Sequence, residues 1–154
     1  MSPLNPNSMP YLSPILIIED NADHLSLTLE ALEEAGVRNP IHAAASVQAA
    51  RDRLQDYQES GMTLNRGLPC VILRDIRLPD GSGMDILREI KQNPALSPIP
   101  VVILTSSADT PDIKRAYLLG ANSYLVKPVA FEEFHQKIRE AGLYWALLNQ
   151  PCTD

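Results

Sequence analysis

Three acids, two hydroxyls and a lysine stand at the ends of apolar runs far apart in this chain. Glu19 and Asp20 close "ILIIED", Asp75 follows "VILR", Thr105 and Ser106 follow "VVIL", and Lys127 follows "SYLV". Carboxylates brought together repel one another unless a cation sits among them. Hard oxygen donors, few in number, suit Mg²⁺ or Mn²⁺, with water completing the shell. A carboxylate is also a nucleophile that can carry a phosphoryl group. Phosphoryl transfer asks mainly for positioning and charge neutralisation. Lys127 and a metal could neutralise the equatorial oxygens while Thr105 donates a hydrogen bond.

Taken singly, each residue has a bland explanation. An acid after a strand commonly caps a helix or faces solvent, a lone lysine is usually a surface residue, and a hydroxyl often serves a turn. The joint occurrence matters, and it requires the runs to be strands whose ends share one rim.

The elements supply that rim. Apolar runs at 15–20, 71–73 and 99–107 read as buried strands, with weaker strands at 41–46 and 123–126. Between them lie amphipathic segments. Leu25, Leu29 and Leu32 keep helical spacing before Gly36; Ala50, Leu54 and Tyr57 mark a helix over 47–60; Ile86, Leu87 and Ile90 mark one over 84–92. A helix over 111–119 is expected with Thr110 as its N-cap and Pro111 in its first turn. The last helix is expected to run from 131 to 148. Strand and helix alternate five times, which implies an α/β protein with a five-stranded parallel sheet and helices on both faces. In such a sheet ligands bind beyond the carboxyl ends of the strands.

Composition narrows the class. The chain has 154 residues, 45% of them hydrophobic, enough for one domain with a core. With 13 basic against 19 acidic residues, its net charge of −6 argues against nucleic acid as a partner. No apolar run reaches the length of a membrane span, and "MSPLNPNSMPYLSP" is no secretion signal but a loose tail. Cys70 and Cys152 form no framework, which suits a reducing cytoplasm.

The stretches "ILIIEDN", "VILRDIRLP", "VVILTSS" and "YLVKP", in that order, resemble the receiver domain of two-component response regulators over residues 14–140. "IKQNPALSPIPVVILTSS", "GANSYLVKP" and "GLYWALLNQP" look closer still to the stand-alone receivers that partner cyanobacterial phytochromes and related kinases. The resemblance implies a flavodoxin-like, doubly wound (βα)5 fold, with a tail at 1–13, the receiver at 14–141 and an extension at 142–154. It makes Asp75 the phosphoacceptor for a cognate histidine kinase. Asp20 would bind Mg²⁺ with Glu19 beside it, and the Arg77 carbonyl would be a further ligand. Thr105, with Ser106, would bind the phosphoryl group and move with it; Lys127 would pair with a phosphoryl oxygen. Pro128 would follow a cis bond, and Tyr124 would swing between exposed and buried positions. Such a protein is no enzyme in the ordinary sense, although slow hydrolysis of its aspartyl phosphate is expected. Its output would be contact with a downstream protein, and a homodimer is expected through the fourth helix, fifth strand and fifth helix. Tyr144, Trp145, Leu147 and Leu148 would extend that face, having little core left to cover them.

Some positions depart from the family pattern: Arg74 before the acceptor, Arg77 where near relatives have Asn, Ser82 where they have Asp, and Cys70 for a frequent Asp. Strand alternation points Arg74 away from Asp75, toward the rim, where it would reach solvent along its apolar stem. Arg77 could hang over the acids and tune the site. Two rival classes fare worse. A dehalogenase-type phosphatase needs a second acid two residues after the nucleophile, where Arg77 stands, and a nucleotide-binding module needs a glycine-rich loop where "EDNADH" has none.

Overall fold

The computed structural model describes residues 13–64, 68–78 and 81–148, with backbone alone for 60–64, 77–78, 81–83 and 146–148. Residues 1–12 of the expected N-terminal tail, Pro79 and Cys152 lie outside the described residues, as do the side chains of Arg77, Leu147 and Leu148. In chain order the elements are β1 (Ile15–Ile18), α1 (Ala22–Glu34), β2 (Ile41–Ala44), α2 (Val47–Leu64) and β3 (Val71–Arg74). A two-stranded ribbon follows, β4 (Arg77–Leu78) and β5 (Gly81–Ser82), then α3 (Gly83–Gln92) and β6 (Val101–Thr105). The chain continues through α4 (Thr110–Leu118), β7 (Ser123–Val126) and α5 (Phe131–Gly142), ending in a π-helical turn over Leu143–Leu148.

One parallel sheet of five strands has the order β2-β1-β3-β6-β7. Strand side chains alternate between its faces. Leu16, Ile18, Ile72, Val101 and Ile103 pack with Leu54 of α2, Ile86, Leu87 and Ile90 of α3, and Ala116 of α4. Ile15, Ile17, Val71, Leu73, Val102 and Leu104 pack with Ala31 and Leu32 of α1 and Phe134 and Ile138 of α5. The flavodoxin-like fold with helices on both faces is therefore present. The antiparallel β4–β5 ribbon is an addition, pairing Arg77 with Ser82 and Leu78 with Gly81.

Helices α1 and α4 stop in the same way. Gly36 (φ +85°) and Gly120 (φ +104°) adopt the left-handed conformation that glycine tolerates. The amide of Val37 then reaches the Leu32 carbonyl, and that of Ala121 the Ala116 carbonyl, closing the exposed helix end. Three local expectations need correction. Asp109, not Thr110, is the N-cap of α4, and it makes no side-chain cap bond. Instead Ser107 Oγ accepts from the Asp109 amide (3.3 Å) and donates to Asp112 Oδ2 (2.5 Å), organising that first turn. The last helix also changes pitch after Gly142, where a Cβ would come within 2.5 Å of Leu32 Cδ2. Finally, Trp145 is not left without a core: it packs against the α1–α5 side and meets Tyr144 edge-on at 4.9 Å.

Candidate functional site: an acid cluster with a shared lysine

The central strands carry the acids to one rim. The Asp75 amide donates to the Ile18 carbonyl (3.0 Å), so the chain leaves β3 beside Glu19 and Asp20. Carboxylate oxygens of Glu19, Asp20 and Asp75 lie within 4.8 Å of one another. Glu19 is buried, Asp75 half-buried and Asp20 exposed. Asn21 caps α1 through bonds from the amides of Asp23 (2.9 Å) and His24 (3.0 Å), which holds the helix start against this cluster.

Lys127 arrives from β7, its amide anchored on the Thr105 carbonyl (2.6 Å). Its side chain is 4% exposed, and its Nζ donates to Glu19 Oε1, to Asp75 Oδ2 (3.1 Å) and to Nδ1 of His24 (2.9 Å). One ammonium faces three carboxylates, so the cluster keeps a negative excess. Close, hard oxygen donors with one acid open to solvent fit a hydrated divalent cation. The Arg77 carbonyl lies on the ribbon that follows the acceptor strand.

Thr105 is buried at the end of β6, with Oγ1 accepting weakly from the Ser107 amide (3.5 Å); Ser106 is exposed. Tyr124 is half-buried and its hydroxyl donates to the Ser107 carbonyl (2.8 Å). Burial raises its ionisation above the usual phenol range, and Asp112, Asp109 and Asp75 add to that against the Ser107 bond. Pro128 requires a correction: no described peptide bond is cis, so Lys127–Pro128 is trans. Trans is the ordinary preference of an X–Pro bond, by about 0.5–1 kcal/mol.

Arg74 does not run out to solvent. It is 1% exposed, on the face shared by Ile18 and Ile103, and its Nε (3.2 Å) and Nη2 (2.9 Å) both donate to the Asp75 carbonyl. Its Nη1 has no hydrogen-bond partner. Burial pushes the guanidinium down to about 10, resisted by Asp75 and Asp85. Alternation set it beside Ile18 and Ile103, but the guanidinium turns back onto the Asp75 carbonyl rather than leaning away from Asp75, a bond not visible in the sequence. His24 and Ser107 were missed altogether. The signal for His24 was its place in the first helical turn after the acid pair.

A family profile described as a response regulator receiver domain matches residues 15–139. The chain belongs to the response regulator receiver family. Among related proteins, the probable methanogenesis regulatory protein FilR2 of Methanothrix harundinacea is 39% identical over 136 residues, covering 88% of this chain and 85% of FilR2. Response regulator Rcp1 of Synechocystis is 33% identical over 131 residues, covering 85% of this receiver and 87% of Rcp1. The crystal structure of Mn²⁺-bound Rcp1 matches with a TM-score of 0.81 at 30% identity, covering 92% of this receiver and 99% of Rcp1. That of the phosphorylated cyanobacterial phytochrome response regulator RcpA matches with a TM-score of 0.79 at 27% identity, with coverage of 92% and 99%. This receiver thus sits among phytochrome-associated response regulators.

Proposed function

We propose that this receiver accepts a phosphoryl group on Asp75 from the phosphohistidine of a histidine kinase, a phytochrome-type kinase being the class its relatives favour. The observation that carries this is the bridge of Lys127 Nζ to Asp75 and Glu19, at the mouth of a three-acid cluster open on one side. A carboxylate oxygen of Asp75 attacks phosphorus, the phosphorus–nitrogen bond breaks, and the imidazole leaves with its electron pair. Lys127 offers its protons to the equatorial oxygens, and Thr105 and Ser106 stand at the neighbouring strand end to donate as well. Asp20 and Asp75, with Glu19 through water and the Arg77 carbonyl, would hold Mg²⁺ or Mn²⁺, whose charge offsets that of the phosphoryl group; Mn²⁺ in Rcp1 supports the metal class.

The reading extends to the signal. Thr105 moves toward the phosphoryl group, the Ser107 loop follows, and Tyr124 loses or keeps its bond to Ser107 accordingly. Output passes through protein contacts on this surface. Water slowly hydrolyses the aspartyl phosphate. Asp75→Asn is expected to abolish base-labile phosphate uptake from acetyl phosphate with Mg²⁺, and Asp20→Asn to weaken it through the metal. Parent-rate labelling of Asp75→Asn would refute the assignment.

A further inference from the structure

Lys127 carries three N–H groups, and each has an acceptor: Glu19, Asp75 and the Nδ1 of His24. Nζ lies 2.9 Å from His24 Nδ1, with Glu19 Oε1 3.6 Å from the same nitrogen; an ammonium only donates, so in this pairing Nδ1 is the acceptor. The ring cannot easily follow the lysine elsewhere. It lies 6.0 Å from the Phe134 ring, centre to centre, and its backbone is pinned at the capped start of α1. The His24 carbonyl also accepts from Thr28 Oγ1 (2.8 Å). When charge moves from the Asp75 carboxylate out to a phosphoryl group, Nζ must turn with it. Of the three acceptors, the imidazole is the uncharged one, and bonds to charged acceptors are the stronger.

We infer that His24 is a positioning residue for Lys127: it holds Nζ before phosphorylation and gives it up when a phosphoryl group arrives. This rests on the receiver reading of the site. The bond to His24 stabilises the unphosphorylated state alone, so it opposes phosphoryl binding. Removing the acceptor while keeping an aromatic ring against Phe134 should therefore favour the loaded state. His24→Phe does this. His24→Asn keeps an oxygen near the position of Nδ1 and should restore the parent behaviour.

The probe is beryllofluoride with saturating Mg²⁺, titrated by calorimetry into the full chain. His24→Phe is expected to bind it about three- to tenfold more tightly than the parent, and His24→Asn within about twofold of it. If His24→Phe fails to fold by circular dichroism, His24→Leu carries the same expectation. A second readout needs no ligand. With three histidines in the chain, nitrogen-15 spectra should show His24 with an unprotonated, hydrogen-bonded Nδ1 that shifts when beryllofluoride is added. Equal or weaker binding by His24→Phe, an Asn variant that behaves like Phe, or a protonated Nδ1 would each overturn the inference and leave the receiver reading standing. A parent protein that binds no beryllofluoride would overturn both.

Discussion

Arg74 and Arg77 flank the acceptor at one and two residues' distance, and they are not equivalent. Arg74 is interior, bonded to the Asp75 carbonyl, with one orphaned nitrogen. An unpaired buried donor costs about 1–3 kcal/mol, and so does a carbonyl stripped of its partner. Arg74→Met removes the first cost and creates the second, so stability in urea should change by less than about 1 kcal/mol. Arg74→Ala adds a cavity and should lose about 2–4 kcal/mol. Both delete a cation that interacts with Asp75 and should tighten Mg²⁺ binding in calorimetry. Arg77→Asn should do the same and also shorten the phosphoaspartate lifetime several-fold, because about 1 kcal/mol is roughly fivefold in rate. Unchanged affinity and lifetime would retire Arg77 as a tuning residue. Elsewhere, His42 Nδ1 meets Tyr57 Oη at 2.6 Å on the edge strand, and burial, with Arg53 nearby, lowers its basicity from 6.5. The unfolded chain then binds this proton more readily than the folded one. Stability is thus full above about pH 6.5 and declines below it, until the folded form is protonated as well. His42→Gln should flatten that part of the urea-stability profile.

At the level of elements, strand ends were legible because apolar runs stop abruptly at residues placed for chemistry, and a parallel sheet follows from alternation and crossover rules, which leave its strand order open. Helix starts were less legible. The Ser107 hydroxyl organises the first turn of α4 across two residues, a bond that spacing alone does not announce. The close approach of Leu32 to Gly142, where the pitch changes, joins residues over a hundred apart in sequence. The two helix-stopping glycines, by contrast, permit a graded test. Nothing crowds a Cβ at Gly36, so Gly36→Ala should cost about 1–2 kcal/mol of backbone strain alone. At Gly120 a Cβ would also meet Lys91 Cγ at 2.8 Å, and Lys91 is tied to the carbonyls of Ser97 (3.1 Å) and Ile99 (2.7 Å). Gly120→Ala should therefore lower the melting temperature more than Gly36→Ala. Equal losses would show that Lys91 yields freely.

For the whole molecule, exposed apolar residues gather on α4, the turn before α5, and the end of the chain. Leu118 is 86% exposed, with Tyr117, Val129 and Phe131 also open, and Leu143 and Tyr144 stand out from the π-helical turn. Such patches are uncommon on a monomer. A homodimer across α4, β7 and α5, as the family resemblance implies, would cover Tyr117, Leu118, Val129 and Phe131. Leu118→Asp combined with Val129→Asp should give a monomer by light scattering at concentrations where the parent is dimeric. A dimeric double variant would move the interface to another face. No described helix is long and apolar enough to cross a membrane.

The sheet has a further consequence as a partition. Thr105, Ser107 and Tyr124 lead toward α4, on the side that α2 and α3 share, whereas Lys127, His24 and Phe134 lead toward α1 and α5. A phosphoryl group accepted at the rim, as proposed, would therefore have two outlets on opposite walls. A protein seated over α1 would leave the α4 wall to the second copy expected there, so delivery and collection of the message need not be consecutive.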